Sequence, residues 1–145
     1  MLELPRLSRV SAMLIAAVAA FGCSNPREDV RLTLCKDMVT VELGMEPSWQ
    51  GSQTQTQGRE GAVVTVHFAG ASGDQQAACY YKYDAVEDTA LTLANPIEAY
   101  STSPSKMVLN GRTLTGAELA QVVKRAMQKQ GRAFVDRARE TLRGQ

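Results

Sequence analysis

The sequence predicts an α+β domain: an N-terminal helix, an antiparallel sheet of three to four strands, and a long C-terminal helix, with both helices on one face of the sheet. Three observations carry this expectation. Apolar residues recur at helical spacing between residues 30 and 45. Two runs of alternating β-branched and aromatic residues occupy the middle of the chain. A charged amphipathic pattern then fills residues 115–142.

The first helix is well punctuated. Asn25 is a capping residue, Pro26 suits the first helical position, and Glu28, three residues after Asn25, completes a capping box. Gly44 supplies the stop. Val30, Leu34, Met38, Val41 and Met45 share one face, with Cys35 on its flank. The alternation Val39, Val41, Leu43 also fits a strand, and the capping signals favour helix.

Residues 44–61 change character. Gln, Ser, Thr and Gly dominate residues 50–57, which read either as a solvated loop or as a polar edge strand. Trp49 reads as a lid on the core. Ala62–Ala69 is the clearest strand, with Ala62, Val64, Val66 and Phe68 on one face and Val63, Thr65 and His67 on the other. A Gly70–Asp74 turn leads into a second strand, Gln75–Asp84, whose faces are Ala77, Cys79, Tyr81, Tyr83 and Ala78, Tyr80, Lys82. Residues 85–104 are hard to read: 89–94 fit a strand or one helical turn, and Pro96 and Pro104 interrupt their surroundings. Met107–Leu109 is a short apolar run closed by the tight-turn pair Asn110-Gly111. Thr115 and Glu118 repeat the capping-box pattern before a helix to about Leu142. Its apolar stripe takes in Leu119, Val123, Ala126, Met127, Ala133, Phe134 and Ala138, opposite Arg125, Lys129, Arg132, Arg139 and Arg143. Gly131 near the middle bends this helix or splits it in two.

The N-terminus has the form of an export signal. Arg6 and Arg9 precede an uncharged run, Val10–Phe21, and Ala20-Phe21-Gly22 leads to Cys23. The run holds 12 residues, whereas a membrane span needs ~20. Ala-Phe-Gly-Cys resembles the lipobox of bacterial lipoproteins, with Ala20 where leucine is usual and Phe21 where a small residue is usual. The other reading is an ordinary signal peptide cleaved nearby. The resemblance implies that residues 1–22 are a signal peptide, that Cys23 is acylated as the new N-terminus, and that residues 23–145 form one domain. Ser24, not being aspartate, then implies transfer to the outer membrane, facing the periplasm. The chain as a whole resembles the small lipoproteins of proteobacteria. In size and layout only, it resembles the α+β lipoproteins that serve as accessory subunits of envelope machines, although those place their helices before the sheet.

With Cys23 used by the anchor, Cys35 and Cys79 remain as a pair in an oxidising compartment, where two thiols usually form a bridge. Closing that loop contributes ~4 kcal/mol in the chain-entropy model, less any strain. Such a bond puts the Ala77-Cys79-Tyr81-Tyr83 face under the first helix. A metal or redox role fits poorly, because the only histidine, His67, is far along the chain and there is no Cys-x-x-Cys.

The full sequence carries 16 basic and 15 acidic residues. Without the signal the two signs are equal, but they are unevenly placed. Residues 115–145 have a net charge of +4 and residues 23–114 a net charge of −4. The basic end either packs near and balances the acidic body or meets an anionic partner through Arg125, Lys129, Arg132 and Arg143. There is no glycine-rich phosphate loop, Gly-x-Ser-x-Gly or His-Glu-x-x-His, and His67, flanked by Val66 and Phe68, reads as structural. Cofactor, metal and nucleic acid are not expected, nor is enzymatic activity. The leading expectation is a structural, assembly or protein-interaction module of the envelope, held by its lipid anchor beside another envelope protein. A module binding anionic lipid or cell-wall polymer through the basic helix is the second, and a small hydrolase the third.

Overall fold

The structure, a computed structural model, describes residues 28–84 and 95–144. It is an α+β fold: helix α1 (Val30–Leu43), strands β1 (Ser48–Thr56), β2 (Ala62–Gly70), β3 (Gly73–Tyr81), β4 (Lys106–Leu109) and β5 (Arg112–Leu114), then helix α2 (Gly116–Arg143). The strands form one antiparallel meander in the order β1-β2-β3-β4-β5. Five strands replace the expected three to four. The polar stretch at residues 50–57 is largely β1, held to β2 by its backbone ladder. The extra strand after Gly111, β5, is three residues long with Leu114 as its one buried side chain, too short to show alternation. The pattern expected at residues 89–94 lies outside the described residues.

α1 starts later than its capping signals suggest. Asp29 is the N-cap, its Oδ1 accepting from the Arg31 backbone N at 2.9 Å, while Glu28 pairs with Lys36 at 2.7 Å. Asn25 and Pro26 lie outside the described residues. Gly44 ends the helix in the left-handed region at φ 72°, which costs glycine nothing. The buried face is rotated from the expected one. Leu34, Cys35, Met38 and Val39 are buried, whereas Val30 and Met45 are exposed, 57% and 66%. The cause is that α1 packs on two sides, against β2 and β3 and against α2, so its contact surface is broader than one stripe.

The core lies between the helices and one sheet face. One row crosses all five strands, Thr54–Val64–Cys79–Met107–Leu114, and everything in it from Val64 onward is buried. Trp49 covers Phe68 edge-on, ring centroids 5.8 Å apart, and its Nε1 donates to Glu46 at 2.9 Å. Tyr83 leaves the expected core face: it is exposed and stacks edge-on with Tyr100 just beyond the end of β3.

Candidate functional site

Cys35 of α1 and Cys79 of β3 lie at disulfide distance, sulfurs 2.03 Å and Cα atoms 6.0 Å apart. The bond sets the central strand under α1 and fixes which sheet face is the core. Near the same end of α1 sits a residue that sequence reading passed over. Arg31 is 1% exposed. Its guanidinium pairs with Asp29 at 3.1 Å, its Nε donates to the Ser101 carbonyl at 3.0 Å, and Nη2 donates to the Tyr100 carbonyl. The Tyr81 hydroxyl in turn donates to the Arg31 carbonyl at 2.8 Å. Burial pushes the Tyr81 hydroxyl well above its ordinary pKa; Arg31 opposes that shift and Asp29 adds to it. A charged residue on a helix otherwise reads as solvated, and only the tertiary carbonyls explain its burial.

The four basic candidates divide into two pairs. Arg125 pairs with Glu42, which also meets Arg112 at 3.6 Å. Lys129 pairs with Asp37 and lies 3.7 Å from Glu46, and Gln130 donates to Asp37 at 2.8 Å. These bonds to Asp37 and Glu46 raise the Lys129 pKa even though its partial burial acts to lower it. Arg125 and Lys129 thus join α2 to α1, and the acid–base asymmetry of the sequence is spent in part on that seam. Arg132 and Arg143 are exposed and have no acidic partner among the described residues. The expected capping box at Thr115 is not closed, since Glu118 pairs with Arg112 instead.

The expected apolar stripe of α2 separates into two. Leu119, Val122 and Ala126 are buried against the body. Met127, Phe134 and Leu142 point outward, 60%, 68% and 74% exposed, and every residue from Gly131 to Gly144 is exposed. Gly131 does not split the helix, which is continuous from Gly116 to Arg143. Val122, which the sequence reading omitted, faces the core because α2 meets the sheet through the 119-122-126 row.

Elsewhere the grooves are open. His67 sits on the sheet face away from the helices, in a polar groove with Gln50, Asp74, Gln75, Gln76 and Asn110, whose one carboxylate, Asp74, accepts from Gln50 Nε2 at 2.8 Å. Among the described residues no cluster of three His, Cys, Asp or Glu is placed to hold a metal, and no helix is long and apolar enough to cross a membrane. Cys23 lies outside the described residues. Comparison with family models, curated proteins and solved structures returns no match for this chain.

Proposed function

We propose that this chain is a lipid-anchored, periplasm-facing module of the bacterial envelope that binds another envelope protein by strand addition. The observation that supports it most is β1. Eight of its nine residues are exposed, Trp49 being the half-buried one, and β1 stands first in the strand order, so its outer edge pairs with no described strand. Between Ser48 and Thr56 there is no charge and no proline, two of the devices that protect an edge from pairing, and the one irregularity, at Trp49–Gly51, lies at the start of the strand. An extended segment of a partner would extend the sheet through backbone bonds, and the Gln and Thr side chains would read it weakly. Acylation of Cys23 would supply the anchor, and the lipobox-like sequence supports it.

Two measurements test this reading. A photoreactive residue at Thr54 should give one discrete adduct in intact envelopes. That adduct should be absent when the probe sits at Lys82, and lost when Gln53→Lys and Gln55→Lys add charge to the edge. An adduct indifferent to probe position removes the edge as the contact. A fatty-acid analogue should label the wild type and miss Cys23→Ser; labelling that survives the substitution removes the anchor.

A further inference from the structure

The second half of α2 is a helix with nothing against it among the described residues. At 3.6 residues per turn, Phe134, Ala138, Gly131, Leu142 and Val135 fall within an arc of about 100°, and Met127 continues it toward the body. Arg137 borders this arc on one side and Arg139 and Arg132 on the other, while Asp136 and Glu140 lie on the far side. An apolar arc flanked by arginines is the pattern of a helix lying in the plane of a membrane interface, apolar side down and guanidinium groups reaching outward to phosphates. The direction of the arc fits as well. Leu119, Val122 and Ala126 face the sheet and Arg125 and Lys129 face α1, so the 127-134-138 ridge points away from both.

The position along the molecule supplies the partner. Arg125 meets Glu42 near the end of α1, and Gln130 meets Asp37 nearer its start, so α2 runs antiparallel to α1. From Gln130 to Arg143 is about 20 Å of helix, and from Asp37 back to Val30 about 10 Å. The last turns of α2 therefore reach the end of the molecule where α1 begins and pass beyond it. Glu28 lies at that same end, and Cys23 is five residues before it in the sequence, a contour of at most about 18 Å.

From these features we infer that Gly131–Arg143, with Met127, lies in the headgroup layer of an anionic lipid membrane, beside the site where the chain is anchored. The inference takes the Cys23 anchor from the preceding reading and is independent of the β1 contact. A bare cell-wall polymer offers charge without an apolar layer, so Phe134 and Leu142 select the lipid.

The test uses the full chain, as Phe134→Trp beside the wild type, which reports Trp49 alone. Each is reconstituted in vesicles of phosphatidylglycerol with phosphatidylethanolamine, and in phosphatidylcholine. In the anionic vesicles the introduced indole should emit at shorter wavelength and be quenched by lipids brominated near the headgroup. Trp49 should show neither effect. Changing Arg132, Arg137, Arg139 and Arg143 to Gln should abolish the quenching. In the Cys23→Ser chain, each arginine removed should lower partitioning into anionic vesicles about fivefold, and high salt should act in the same direction. Protein that floats with vesicles while the introduced indole stays water-exposed overturns the inference and leaves the anchor standing. Quenching that persists in Cys23→Ser while the fatty-acid label is equally present on it defeats the anchor and leaves the helix contact standing. A blue shift of the introduced indole that brominated lipid fails to quench points to a second copy or another protein on the ridge, and overturns the inference.

Discussion

Arg31 is the residue on which the start of α1 and the 100–101 segment converge. It holds two carbonyls of the 100–101 segment and one carboxylate from a position that water barely reaches. Replacing it by Met keeps the stem but leaves the two carbonyls without their donor and removes the ion pair to Asp29, which should cost about 3 kcal/mol, read from urea denaturation. Arg31→Lys should recover only part, because an ammonium cannot reach three acceptors in a plane. Its neighbour Tyr81 gives the pH dependence. The folded state keeps the hydroxyl protonated well past the ordinary value of 10.0, whereas the unfolded chain releases that proton at 10.0. Between the two the folded state binds more protons, so stability falls as pH rises above about 10. Lys129, whose pKa is also raised, from 10.5, has the same sign: its contribution is complete below that value and is lost as pH climbs through the folded one. Tyr81→Phe should therefore flatten the alkaline limb of a stability–pH profile while costing about 1 kcal/mol at neutral pH for the lost bond. An unchanged limb would assign the alkaline loss to Lys129 and its seam.

At the scale of elements, α2 has two halves with different energetics. The first is fixed by the core row and the α1 seam; the second, Gly131 onward, is exposed throughout. Gly131 is open to a Cβ, with nothing within 4 Å and no positive φ. Gly131→Ala should strengthen the helix locally by up to about 1 kcal/mol, seen as slower hydrogen exchange over residues 131–143. The melting temperature of the body should barely move, since that segment frays independently of it. A large global shift would show that the two halves unfold together. The same division explains what the sequence showed and what it hid. Period-two alternation marked β2 and β3, Gly44 marked the end of α1 and Asn110-Gly111 the turn after β4, because these signals are local. The helix stripes were mixed, because core-facing Leu119 and Ala126 and outward Met127 and Phe134 sit on adjacent rows, and only the sheet's position separates them. The split among Arg125, Lys129, Arg132 and Arg143 was hidden for a like reason: which bases meet acids depends on where α1 ends. β1 was ambiguous since a strand exposed on both faces has no apolar alternation to display.

The whole molecule is held by a small core and one covalent tie. Helix α1 is joined to the rest by its face on β2 and β3, by the buried bonds of Arg31 and Tyr81, by the half-exposed ion pairs with α2, and by Cys35–Cys79. Pairs of that exposure contribute little each, so the tie between helix and central strand carries a disproportionate share. The bond spans 44 residues of sequence, worth about 4 kcal/mol in chain entropy, which for a domain of this size is a shift on the order of 20 °C in melting temperature. Cys35→Ala, Cys79→Ala and the double variant should all lose about that much, and they should lose it once. The second substitution removes no further cross-link and only a small additional volume from a site that is fully buried. Reductant should bring the wild type to the same melting temperature and leave the three variants unmoved. A double variant far less stable than either single one would mean that the sulfurs act as separate packing groups. A wild type insensitive to reductant under conditions that open the fold would mean that the two are not bonded in the protein. In either case α1 would be held without a covalent tie, by its packing on the row Val64–Cys79–Met107, by the Arg31 and Tyr81 bonds and by the α2 seam, and its amide hydrogens should then exchange before those of the sheet.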